Sequence, residues 1–306
     1  MTRRAIILLA TFNGGPFLRE QLASIAAQSH ADWRLIWRDD GSADETVAIL
    51  GAFAARQPAG RVTRLAEPAG RLGAAASFLA LLRHAAPMLG PDDIIAFADQ
   101  DDVWLPFKLA RTLAALGGGD PAIYAARLVL VDAKLHRLGE SAMPVPPMGF
   151  PASLTQNLAV GCTVALNRAA ACLVAESVAP TACQHDWWAY LLVTAAGGAL
   201  IADAEPVVLY RQHTRNAVGA PRNVARRALA ALRRGPRTFM DLMRANVAAL
   251  DAQRAVLTPQ ARATLDEIRA GLDGGRLARL RLLRIPDLRR QTRKEQLLFH
   301  LWVLLG

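Results

Sequence analysis

Ile94-Ile95-Ala96-Phe97-Ala98-Asp99-Gln100-Asp101-Asp102 sets five apolar residues directly against four polar ones, three of them acidic. A short apolar run that ends in a polar cluster reads as a buried strand, so these acids stand at a strand's carboxyl end. Residues 5–10 (AIILLA) read the same way and stop at the turn signal Asn13-Gly14-Gly15-Pro16. From Phe17 the pattern becomes helical, with Leu18, Leu22 and Ile25 on one face. Residues 33–37 alternate like a second strand and run into Arg38-Asp39-Asp40-Gly41-Ser42. Asp44-Glu45-Thr46 then opens a helix through Ala55, its acids in the first turn where the helix dipole favours them. Residues 62–65 give a third short strand and 77–83 a helix. This alternation predicts an α/β sandwich with a mainly parallel central sheet.

Later segments are less regular. Residues 122–131 read as a strand pair or a strand with a turn, 142–151 as a proline-rich loop and 159–166 as a strand. Residues 187–195 read as a helix, and 199–210 as a strand region broken by Pro206. Beyond Pro221 only helical patterns occur, near 223–233, 237–256, 259–272 and 288–304, separated by Gly235-Pro236, Thr258-Pro259 and Gly274-Gly275. We find no internal repeat. The expected organisation is a catalytic domain over 1–221 followed by a helical extension over 222–306.

At 306 residues, 53% hydrophobic and 20% charged, the chain has the composition of a folded globule. Three cysteines without a C-x-x-C spacing exclude a disulfide framework or a zinc ribbon and suit a reducing cytosol. The six apolar residues after Arg3-Arg4 are short for a signal peptide, and no run reaches the length of a membrane span. A cytoplasmic location is expected. Charge is unevenly placed: residues 222–306 hold 18 Lys/Arg against 7 Asp/Glu, whereas 1–221 hold 18 against 19. A basic appendage of this kind meets an anionic surface or is simply a solvated helical face. Arg289-Arg290-Gln291-Thr292-Arg293-Lys294, followed by the apolar run 297–305, suits peripheral contact with the inner face of a membrane. Packing against the protein is the alternative. No nucleic-acid partner is expected, because the basic stretch lacks a recognised module or interleaved aromatics.

Ligands of open α/β sheets bind beyond the carboxyl ends of the strands. Two acidic clusters fall there: Asp39-Asp40, and Asp99, Asp101 and Asp102. Such carboxylates repel one another unless a cation or donors compensate, and a divalent ion that shares carboxylates with substrate phosphates is a natural compensator. Helix capping is the competing role, strongest for Asp39-Asp40. Neither a G-x-G-x-x-G after the first strand nor a G-x-x-x-x-G-K-[ST] occurs, which removes the main signatures of dinucleotide enzymes and P-loop NTPases.

Ala10-Thr11-Phe12-Asn13-Gly14, Glu20-Gln21-Leu22, Asp39-Asp40-Gly41-Ser42 and the run Asp99-Gln100-Asp101-Asp102-Val103-Trp104-Leu105-Pro106 together resemble glycosyltransferase family 2. Within it they resemble the bacterial rhamnosyltransferase type. Gly161-Cys162-Thr163, His185-Asp186-Trp187-Trp188 and Tyr210-Arg211-Gln212-His213 continue the likeness in order over about the first 220 residues. The resemblance implies a GT-A fold and inverting transfer from a nucleotide-activated sugar, dTDP-rhamnose or another dTDP- or UDP-sugar. The implied acceptor is a surface polysaccharide or lipid-linked saccharide. It also implies that Thr11 and Asn13 line the nucleotide pocket beside Asp39 and Asp40, and that Asp99 and Asp101 form the D-x-D. Asp101 would be the direct ligand of Mg²⁺ or Mn²⁺, with His213 completing that site. Asp186 matches the catalytic base, and Trp187 and Trp188 would stack on the acceptor.

Two departures stand out. Relatives carry Glu-Asp where this chain has His185-Asp186, and Asn-x-Gly where it has Gly70-Arg71-Leu72-Gly73. Arg71 would meet a phosphate or mark a different donor. Read without the resemblance, Asp186 is also a helix-capping acid, His213 a hydrogen-bonded loop histidine, and at least one of the two tryptophans core. The residues leave two rivals. A sugar nucleotidyltransferase uses similar carboxylates, but adds a basic phosphate loop that residues 11–16 lack. A membrane- or nucleic-acid-binding protein would use the acidic clusters structurally.

Overall fold

In the computed structural model, residues 3–67, 70–213 and 224–306 are described, the last stretch without the side chains of 224–234 and Arg276. The expected boundary at 221/222 lies outside the described residues. Contacts divide the chain into two compact units, neither continuous in sequence. The first comprises Met1–Met143, Ala159–Glu176 and Gly198–His213, and the second Pro144–Leu158, Ser177–Gly197 and Thr214–Gly306.

The first unit is built on one nine-stranded sheet. Its first half follows the apolar runs: β1 (Ala5–Thr11), α1 (Gly15–Ala26), β2 (Trp33–Asp39), α2 (Thr46–Ala54), β3 (Val62–Arg64), α3 (Ala74–Ala85) and β4 (Ile94–Ala98). β1 and β4 are buried nearly throughout, so they form the central strands and need no alternation. β3, β2, β1 and β4 pair in parallel in that order. The chain therefore runs outward from β1 to β3 and then returns to β1's other side. The gap between β1 and β4 is a topological switch point, where the carboxyl ends splay and ligands enter.

The second half adds β5 (Val103–Trp104), α4 (Lys108–Ala115), β6 (Ala122–Val131), β7 (Arg137–Glu140), β8 (Ala165–Asn167), α5 (Arg168–Ala175) and β9 (Ala199–Arg211). β8 bridges β4 and β6 with antiparallel ladders, and β6 carries β9 in parallel. Pro206 does not end β9. The β6–β9 register shifts between Ala126 and Leu128, and the irregularity absorbs the missing N–H. Residues 159–166 are not one strand: a 3₁₀ turn over Gly161–Thr163 precedes the three-residue β8. The core gathers Ile7, Leu9, Leu35, Trp37, Ala96 and Trp104 with the inner faces of the flanking helices, each full-sized side chain contributing about 1.5–3 kcal/mol.

The second unit is helical: α6 (His185–Ala195), α7 (Val224–Ala252, broken at Gly235), α8 (Pro259–Asp273), α9 (Arg276–Leu282) and α10 (Arg293–Leu305). Thr258 and Thr292 cap α8 and α10 by accepting from the N–H groups of Ala261 and Glu295. Phe239 of α7 packs on Phe299 and Trp302 of α10, with centroids 6.0 and 4.9 Å apart. α9 was not expected from the sequence. Among the described residues, no helix is long and apolar enough to cross a membrane.

Candidate active site

Parallel register sets the first part of the site. Thr11 lies opposite Asp39 at the ends of β1 and β2, and its hydroxyl donates to the Asp39 carboxylate at 3.0 Å. That carboxylate also accepts from the Ser42 hydroxyl at 2.5 Å and from the Gly41 and Ser42 N–H groups at 3.1 and 2.8 Å. Gly41 has φ +89°, which favours glycine. Asn13 takes a left-handed φ of 49°; its N–H donates to Ser42 Oγ and its side-chain oxygen accepts from Ala43 N–H. Thr11, Asn13 and Asp39 thus share one polar rim.

Asp40 faces inward. Its oxygens accept from Arg38 at 2.7 Å and from the N–H groups of Leu72 and Gly73 at 2.6 and 2.9 Å. Burial pushes its carboxyl up, but the Leu72 N–H, Arg38 and the Gly73 N–H outweigh this and hold it below its usual value. The buried Arg38 also donates to the Gly70 carbonyl at 2.5 Å. The 70–73 loop is therefore gripped by its backbone, while Arg71 is exposed with its guanidinium 4.1 Å from the Phe12 ring centre.

The Asp99–Asp102 turn follows β4 and faces the same end. Gln100 clasps it to β1's exit: its side-chain oxygen accepts from Phe12 N–H at 2.9 Å and its amide donates to Phe12 O at 3.0 Å. Gly14 leaves room for this clasp, since a Cβ there would fall 2.3 Å from Gln100 Oε1. Asp101 Oδ2 and His213 Nε2 lie 2.8 Å apart, and the imidazole packs on Phe17 with centroids 4.7 Å apart.

Asp102 turns the other way. It is fully buried, accepts from the Arg211 N–H at 3.0 Å through Oδ1, and has no hydrogen-bond partner at Oδ2 among the described residues. Burial, then the charges of Asp101 and Asp99, push its carboxyl well above its usual range. Ligand atoms of Asp99, Asp102 and Cys162 lie within 4.8 Å of one another. Behind them Lys108 stands 3.7 Å over the Trp104 ring and donates to the Cys162 carbonyl; burial lowers its pKa to about 7. Arg211 ties the cluster together, donating to Asp101 O at 2.8 Å, to Ala133 O at 2.6 Å and to the Glu20 carboxylate.

The donor set fits a hard divalent cation. Carboxylates at Asp99 and Asp101 and an imidazole at His213 are oxygen and nitrogen ligands such an ion accepts; of these, Asp101 and His213 are in direct contact, while Asp99 groups with the buried Asp102 and Cys162. Cys162 is a poor candidate ligand, because burial pushes its thiol well up and keeps it protonated.

Asp186 belongs to the second unit, in the first turn of α6, where its carboxylate accepts from the Trp187 N–H at 2.7 Å. His185 beside it is buried, which lowers its pKa to about 3. Trp187 is half-buried and donates its indole N–H to Ser153 O at 2.8 Å. Trp188 is fully buried and donates to Ser177 Oγ at 2.8 Å, a core position. The sequence pattern marks neither the clasp at Gln100 nor the supports Arg38, Lys108 and Arg211. An unbroken polar residue inside an apolar framework was the one available signal.

The chain is similar to several known glycosyltransferases. Over 220 residues the chain is 26% identical to the dTDP-rhamnosyl transferase RfbG of Shigella flexneri, spanning 69% of this chain and 74% of that one. Among solved structures it is similar to S. aureus TarS 1–349 in complex with UDP-GlcNAc (TM-score 0.55, 14% identity, 88% of this chain and 71% of that one). It is also similar to the mannosyltransferase PcManGT of Pyrobaculum calidifontis in complex with GDP-Man and Mn²⁺ (TM-score 0.52, 17% identity, 99% and 86%). At these identities the structural likeness speaks to the fold, which is of GT-A type with a helical C-terminal region. The sequence model of glycosyl transferase family 2 matches residues 6–169, more than half of the chain, and the protein belongs to that family of glycosyltransferases.

Proposed function

We propose that the protein transfers rhamnose from dTDP-rhamnose, with inversion, to a hydroxyl of a saccharide or lipid-linked saccharide. The observation that carries the reading is the convergence at the β1/β4 switch point of the Thr11–Asp39 rim and the Asp101–His213 pair. The relative in Shigella flexneri, named as a dTDP-rhamnosyl transferase, supports the choice of donor. Thr11, Asn13 and Asp39 meet the nucleoside, Asp40 acts by holding the 70–73 loop, and Arg71 reaches the phosphates. Asp99, Asp101 and His213 hold Mg²⁺ or Mn²⁺, which when bound neutralises charge on the diphosphate. Asp186 takes the acceptor's hydroxyl proton as the new anomeric C–O bond forms and the bond to the diphosphate breaks. The transition state is oxocarbenium-like by analogy with glycoside hydrolysis. Trp187 supplies the acceptor platform, with Trp188 packed beneath the same helix. Catalysis rests on residues within 1–221, with 222–306 as a basic extension.

Calorimetric titration with dTDP, UDP and GDP, each with and without Mn²⁺ or Mg²⁺, tests the reading. Metal-dependent binding of dTDP, lost in Asp101→Ala, is the expected result. Tight binding of UDP or GDP alone would reassign the donor. No binding of any of the three would overturn the transferase site as drawn.

A further inference from the structure

α10 has two apolar faces, and among the described residues only one is covered. At about 100° per residue, Phe299, Trp302 and Val303 fall on one side, where they are buried and Phe299 and Trp302 pack on Phe239. Arg293, Lys294, Leu297, Leu301, Leu304 and Leu305 fall together on the opposite third of the circumference, and all six are exposed. Leu297 is 69% and Leu305 65% exposed, far from the half-covered state of an ordinary surface leucine. The helix's one acid, Glu295, is off this face and engages the capping Thr292. Arg293 and Lys294 have no ion-pair partner among the described residues. α9 repeats the arrangement on a smaller scale: Leu277 (82% exposed), Leu280 and Arg281 share its outer side.

We infer that this face of α10 is a docking surface for an anionic lipid bilayer, an interaction beyond the transfer reaction and independent of it. Two physical points select that occupant. First, leucines and cations on one helical face with no acid are complementary to acyl chains beneath anionic headgroups, and the surrounding segment 222–306 is strongly basic. Second, a two-fold contact with another copy of the chain would bury Arg293 and Lys294 of both copies against leucines or like charge, with no acid on this face to pair them, which desolvation disfavours. Thirteen residues of helix span about 20 Å at 1.5 Å per residue, short of a bilayer's hydrocarbon core. The helix therefore lies in the interface, held from behind by Phe299 and Trp302.

The test is co-sedimentation of the full-length protein with vesicles of phosphatidylcholine alone and of phosphatidylcholine with a quarter phosphatidylglycerol. Binding is expected only to the second, and weakens with salt. L297S/L301S and, separately, R293Q/K294Q are each expected to weaken it by about tenfold or more. Both pairs are solvent-facing, so unchanged circular dichroism and melting confirm that the fold survives. Absence of binding to the anionic vesicles, or variants that bind like the parent, overturns the inference. So does a dimer in light scattering that L297S/L301S dissolves while vesicle binding is nil. None of these readouts needs a nucleotide sugar, so a wrong donor leaves the result intact.

Discussion

Replacing Arg211 by Met tests whether one buried guanidinium holds the acidic turn in shape. Its side chain donates to Asp101 O, to Ala133 O and to Glu20, and stacks 4.6 Å from the Phe17 ring centre. Met refills much of the stem's volume but none of the hydrogen bonds. Charge-assisted bonds from the buried guanidinium to two partly buried carbonyls are worth about 1.5 kcal/mol each at the low end. The Glu20 contact adds at most about 1 kcal/mol, because that carboxylate is 55% exposed and rehydrates. The expected loss is about 3–4 kcal/mol, a large share of the 5–15 kcal/mol typical of a folded chain. Urea unfolding followed by tryptophan fluorescence reads it as a lowered midpoint at unchanged slope. Arg211→Lys recovers little, since an ammonium cannot reproduce a planar three-way fork. Metal-dependent nucleotide binding should weaken by about tenfold in either variant, because Asp101 loses the anchor on its own carbonyl. A loss under about 1 kcal/mol with nucleotide affinity unchanged would refute the reasoning.

Three further outcomes follow from the geometry. His185 has a folded pKa of about 3 against 6.5 unfolded, so the unfolded chain binds the extra proton first; stability is complete above pH 6.5 and falls as pH drops toward 3. At about 1.4 kcal/mol per unit, melting between pH 6.5 and 4.5 should reveal a loss of about 2–3 kcal/mol that His185→Gln removes; identical pH profiles would sink this. Asp102→Asn should cost under about 1 kcal/mol in chemical denaturation near neutral pH, because burial favours the uncharged carboxyl and Asn keeps the acceptor for the Arg211 N–H, whereas Asp102→Ala should cost about 2–3 kcal/mol. Equal costs would mean that the buried group is charged. Gly14→Ala drives a Cβ into Gln100 and should mimic Gln100→Ala, each weakening nucleotide binding severalfold, with the double variant no worse than either single one. Additive effects in calorimetry would show that the clasp is not the shared cause.

The first half of the fold was legible because β1 and β4 are unbroken apolar runs, β2 alternates, and the turns carry Asn-Gly, Asp-Gly or acidic signals. Both strand-end clusters were visible for the same reason. The second half resisted. Residues 159–166 are buried except for Val160, much like a central strand, yet residues 161–163 turn into 3₁₀ geometry, where Lys108 reaches the Cys162 carbonyl from 54 positions away. Pro206 read as a break because the compensating register shift lies on another strand. Arg211, Gln100 and Arg38 act through partners 110, 88 and 32 positions distant, respectively, a range at which local pattern carries no information. The apolar end of the chain showed as a basic and leucine-rich run, but its division into a packed face and a bare one depends on where α7 lies.

The grip on the 70–73 loop has a bearing on how such enzymes diversify. Arg38 and Asp40 hold Gly70, Leu72 and Gly73 wholly through main-chain atoms, and no Cβ-bearing contact of residue 71 is needed to keep the loop in place. The side chain at position 71, stacked on Phe12, is therefore not what holds the loop, and it stands beside the proposed nucleotide rim. Mutations there can be sampled at little cost in stability, which makes this the natural place for a lineage to exchange one donor for another. A saturation library confined to residue 71 would be a compact way to retarget the enzyme.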